Sequence, residues 1–187
     1  GFADDLSTKT WDINTGGGTI DVSLVTAGTT FANGINDTTV SSSDTINIAT
    51  RSSAAGSTGQ LTIQGASTFT GTTIINHSGI STGTAASVIL NGTTNAAING
   101  NLQIGNVTSG TNDVVVHLGA SDQIVDTATL SFLGVSGAFT YFKLLGFNET
   151  VAGISDATAS GVIENRETET VSTSGTLTLN SSADFSY

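Results

Sequence analysis

Apolar, alternating runs recur along most of this 187-residue chain at a nearly constant interval. Their centres fall at Ile46, Leu61, Ile74, Ile89, Leu102, Val115, Leu130 and Leu144, in steps of 13 to 15 residues. Each run is short and has period two. In Gly59–Asn76, Leu61 and Ile63 point one way and Thr62 and Gln64 the other. That alternation marks a strand with one buried face. A turn follows at Gly65–Ser67, Phe69 starts a second short strand, and Ile74–Ile75 resume it past Gly71. Strands at a fixed interval over half the chain predict a repeat architecture or a regular all-β domain.

The runs share a form. Gly18–Val22, Gly59–Ile63, Gly100–Ile104 and Gly175–Leu179 all read glycine, polar, apolar, polar, apolar. Thr45–Ile48 and Thr129–Phe132 repeat it without the glycine. The leading glycine is expected to supply positive φ at a turn. The outward Thr, Asn and Gln are expected to form ladders between strands. Proline is absent, as suits a regular stack, because each proline removes a ladder donor. Helix formers are scarce, so almost no helix is expected.

Apart from eight Phe, two Tyr and one Trp, the apolar residues are small or aliphatic. The densest apolar stretch runs from Val114 to Val151 and includes Phe139–Phe147, so the thickest core is expected there. Ser52–Ser57 reads as a loop, and Glu164–Glu169 as a solvated turn or outer strand face. Trp11 is expected to cover the first rung of the stack, since an open end must be covered.

Composition excludes several functions. The net charge is −11 with four Lys and Arg in all, so no basic patch exists for a phosphate backbone or an anionic membrane. With no Cys there is neither a disulfide framework nor thiol chemistry. No run reaches the roughly 20 apolar residues of a membrane span. Gly1–Asp5 lacks the basic start and apolar core of a signal peptide, so any leader is expected to be already removed.

No catalytic motif stands out, and catalytic and cofactor residues are both read as none. His77 and His117 lack the accompanying pattern of a triad or zinc site, and no Gly-x-Ser-x-Gly elbow occurs. Both are read as structural or surface residues. Asp122 with Asp126, or Glu164 with Glu167 and Glu169, are the carboxylates available for glycoside chemistry. They come without an evident aromatic platform or basic partners. Calcium is the remaining cofactor question. Asp4–Asp5, Asp37 with Asp44, or Asp122 with Asp126 could hold a cation between turns, but no EF-hand or Asp-containing nonapeptide repeat is present, so these read as solvated acids. Gly16–Gly18 lacks the sequel of a phosphate loop and reads as a turn. Asn-x-Ser/Thr triplets at Asn36, Asn76, Asn91, Asn106, Asn148 and Asn180 would accept glycans in a host with the machinery.

Gly59, Leu61, Ile63, Gly65, Phe69, Gly71 and Thr73 fall on the positions of the autotransporter-associated β-strand repeat, which this stretch resembles. Ser67 stands where that repeat carries Asn, and Phe69 where it carries Tyr. Leu145–Ile154, Ser160–Ile163 and Gly175–Asn180 look like the segment that follows such a repeat, and Gly16–Val22 is a weaker match. The resemblance implies a right-handed parallel β-helix in a secreted or surface-displayed bacterial protein. The alternative is a β-sandwich whose terminal strand inserts into the next subunit, since 14-residue spacing also fits hairpins. Strand order, parallel or antiparallel, stays open at this point. Residues 1–187 read as one β-repeat domain, or a segment of a longer chain, because Ser181–Tyr187 looks like the start of another rung. Three functions are expected in turn: an extracellular structural or adhesive stalk without catalysis, a filament subunit polymerising through strand edges or termini, and a polysaccharide-active β-helix. The partners expected are neighbouring subunits and surface glycans.

Overall fold

The computed structural model describes residues 9–13, 15–22, 29–37, 43–50, 60–77, 86–93, 96–105, 112–135, 137–166 and 174–181. These residues contain sixteen strands and no helix. The first eight are β1 (Trp11–Ile13), β2 (Gly18–Asp21), β3 (Thr29–Phe31), β4 (Ile35–Asp37), β5 (Thr45–Thr50), β6 (Leu61–Ile63), β7 (Thr72–His77) and β8 (Ala86–Leu90). The rest are β9 (Leu102–Ile104), β10 (Val114–Leu118), β11 (Thr129–Phe132), β12 (Thr140–Lys143), β13 (Glu149–Val151), β14 (Gly153–Asp156), β15 (Gly161–Glu164) and β16 (Leu177–Leu179).

The strands stack into a parallel β-helix with three faces. One face is the sheet β2-β5-β7-β9-β11-β14, and another is β3-β6-β8-β10-β12-β15. The third is narrower, with β1 on β4, β13 on β16, and a parallel bridge from Ile98 to Ile124 between them. Every ladder among the described residues is parallel. That decides the strand order and removes the β-sandwich alternative, whose hairpins need antiparallel pairs.

The true repeat is twice the interval visible in the sequence. Along one face the register runs Ile46, Thr73, Leu102, Leu130, in steps of 27, 29 and 28 residues. The 14-residue beat alternates between the two broad faces. The third face is missed by a count of alternating runs because its buried apolar residues, Ile35, Phe69, Ile98 and Ile124, stand singly and its ladder is short. Thr68 N and Phe69 N both donate to Ile35 O, at 3.0 and 3.1 Å. Phe69 is accordingly buried without belonging to a strand.

The core is a set of side-chain columns running from rung to rung. Ile20, Ile48, Ile75, Ile104 and Phe132 form one, and Leu61, Val88, Val116 and Phe142 form another. All are buried, so each rung closes its apolar face against the next. Val114–Leu118 is buried along its whole length, as the apolar density of that region predicts. Trp11 packs on Phe31, ring centres 5.0 Å apart, at the first described rung. The Ser52–Ser57 loop lies outside the described residues.

The glycine expectation needs correction. Gly16 and Gly17 have positive φ and form the expected turn, but the motif glycines Gly18, Gly100 and Gly175 do not. Gly100 is needed for space. A Cβ there would sit 2.1 Å from Gly71 O and 2.6 Å from Thr70 O, so only glycine lets the two rungs meet at that corner.

Ser67 sews three rungs together. Its buried hydroxyl accepts from Ile35 N at 3.0 Å and donates to Ala97 O. Ser67→Ala leaves a buried donor and a buried acceptor unmet. It is expected to lower unfolding stability by about 1–3 kcal/mol, measurable by urea titration, with Ser67→Cys intermediate.

Candidate functional site

The residues singled out from the sequence do not converge. His77 ends β7 and is buried. His117 lies on β10, where its Nε2 is 3.1 Å from Ser87 Oγ, and Gln60 Nε2 donates to the same hydroxyl at 3.0 Å. The Ser–His spacing alone would suit a nucleophile, but Gln60 bonds the serine hydroxyl and not the imidazole, so it does not take the place of a residue that orients a catalytic histidine. Three residues from three successive rungs make an outer polar ladder, the kind expected of outward Gln and Ser.

Asp122 and Asp126 are both exposed, on either side of inward-pointing Ile124. Asp44 is buried and accepts from Gly16 N at 3.0 Å, fixing the first turn, while Asp37 ends β4 on the narrow face. Among the described residues no three His, Asp or Glu side chains gather as a metal site would require. Glu164 pairs with Lys143 at 3.0 Å. Asp4, Asp5, Glu167, Glu169 and Asn106 lie outside the described residues. Of the other glycan-acceptor triplets, Asn148 and Asn180 are exposed and Asn36, Asn76 and Asn91 are half-buried.

Sequence reasoning passed over two carboxylates. Glu149 is buried, and its Oε2 accepts from Gln123 N at 2.8 Å and Ile124 N at 3.2 Å, while Oε1 accepts from Thr150 N at 3.1 Å. Gln123 continues the column, its amide exchanging hydrogen bonds with Gly92 one rung earlier. Burial pushes the Glu149 carboxyl up to about 7, against the pull of those backbone donors and with a small upward push from Asp122. Period two offers the signal: Glu149 shares its face with buried Val151.

Asp156 stands in register with Phe132, at the end of an apolar column. Its carboxylate turns back to accept from Gly161 N at 2.7 Å, Thr158 N at 3.1 Å and Ser160 N at 3.3 Å. Burial pushes its carboxyl up, but the N–H groups of Gly161, Thr158, Ser160 and Ala159 together hold it below the usual range.

Beside that tight turn lies a groove lined by residues of both of the last two rungs. The corner between the broad faces takes seven residues after β11, 133–139, and four after β14, 157–160. The longer corner overhangs the shorter one. The resulting open groove holds about 480 Å³ between Gly134–Phe139 and Thr158–Ser160. Gly134 N donates to Ser160 Oγ at 2.9 Å and to Thr158 Oγ1 at 3.0 Å, which holds the two corners together.

Phe139 borders this groove, contrary to the expected place of this aromatic stretch in the core. Phe142 points inward, but Phe139 is 50% exposed and Tyr141 lies on the outer face of β12. Their rings sit 6.1 Å apart, and Lys143 Nζ lies 5.6 Å from the Tyr141 ring centre. Asp113 Oδ1 accepts from Phe139 N at 2.8 Å. Partial burial raises the Tyr141 hydroxyl pKa, the Asp113 and Glu164 carboxylates add to the rise, and Lys143 opposes it. The polar tip of the tyrosine is therefore ringed by charge, while the Phe139 ring faces solvent.

Comparison with protein-family models, curated proteins and solved structures finds no match to this chain.

Proposed function

We propose that this chain is a non-catalytic structural or adhesive element displayed outside the cell, a segment of a β-helical stalk or surface fibre. The observation that carries this reading is the unbroken parallel register of six strands on each broad face. The buried polar side chains of Ser67, Gln123 and Glu149 all serve the backbone of neighbouring rungs. Such a body offers rigid length and repeated outer surface. The scarcity of basic residues argues against nucleic acid and anionic membranes as partners.

Six strands at the usual strand spacing span about 24 Å. A second reading is a filament subunit, and the strand edges favour it. Among the described residues β2 and β3 at one end, and β14 and β15 at the other, are paired on one side only. Leu179 near the second end is 55% exposed. Unpaired edges recruit strands. Negative-stain electron microscopy with intact mass on the same sample tests both. Uniform fibres that lengthen with concentration favour the filament, and separate short rods favour the stalk segment. Turnover of any saccharide on a broad panel would overturn the non-catalytic reading.

A further inference from the structure

We draw no further inference here: the strongest candidate, the surface patch around exposed Leu179 at the edges of β14, β15 and β16 that are unpaired among the described residues, is an open end of the stack, and nothing in the structure shows what covers it.

Discussion

Between about pH 4.5 and pH 7 the folded chain is expected to lose stability as pH rises, by at most about 3 kcal/mol, with Glu149 the cause. The sign follows from proton counting. The unfolded chain releases the Glu149 proton near the ordinary value of 4.5, while the folded chain holds it to about 7. In that window the unfolded state binds fewer protons, so rising pH favours unfolding. The stabilising proton is fully present below the window and lost above it. Asp156 acts oppositely, because its folded value is lowered. Its contribution is present above the usual carboxylate range and lost as pH falls through its folded value. Together they place maximum stability on the mildly acidic side. Urea unfolding at about pH 5, 6 and 7.5 reads the slope. Glu149→Gln should flatten it whatever it does to absolute stability, since a glutamine oxygen can still accept from Gln123 N and Ile124 N. An unchanged slope in Glu149→Gln would refute the assignment.

The second large effect separates two glycines that look alike in sequence. Gly18 and Gly100 both open a strand in the same five-residue phrase. At Gly100 a methyl group meets backbone oxygens of the preceding rung at 2.1 and 2.6 Å, and backbone cannot swing aside as a side chain can. Gly100→Ala is expected to cost about 3 kcal/mol or more, the upper range for overpacking. At Gly18 a Cβ meets nothing within 4 Å and φ is not positive. Gly18→Ala should therefore be neutral, or slightly stabilising through the unfolded chain. Thermal melts of the two variants decide the matter. Equal losses would mean that the glycines serve turn geometry after all.

Much of this architecture is legible in the sequence, because period two and regular spacing report directly on buried strand faces. Leu61 and Ile63 are buried as their alternation requires. What stays hidden is whatever does not depend on apolar alternation. The narrow face contributes isolated buried side chains, Ile35, Phe69, Ile98 and Ile124, and the Ser67 hydrogen bonds, without an alternating apolar run. The 14-residue interval that counting finds is therefore half a rung. Phe139 and Tyr141 show the reverse error. An aromatic-rich stretch suggested core, yet strict alternation about Phe142 sends Tyr141 outward, and Phe139 lies in the corner before the strand begins. The groove itself is invisible to one-dimensional reading. It exists because two corners 20-odd residues apart differ in length.

The rung period of 27 to 29 residues also fixes how the molecule would answer a pulling force. The hydrogen bonds between rungs run along the axis of the stack, not across it. Tension applied at the two ends opens one rung's bonds at a time, as in peeling, and loads no large set of bonds in shear. Each released rung of about 28 residues adds roughly 90–100 Å of extended chain. A body that is stiff under compression would thus pay out under tension in even steps, dissipating work rung by rung.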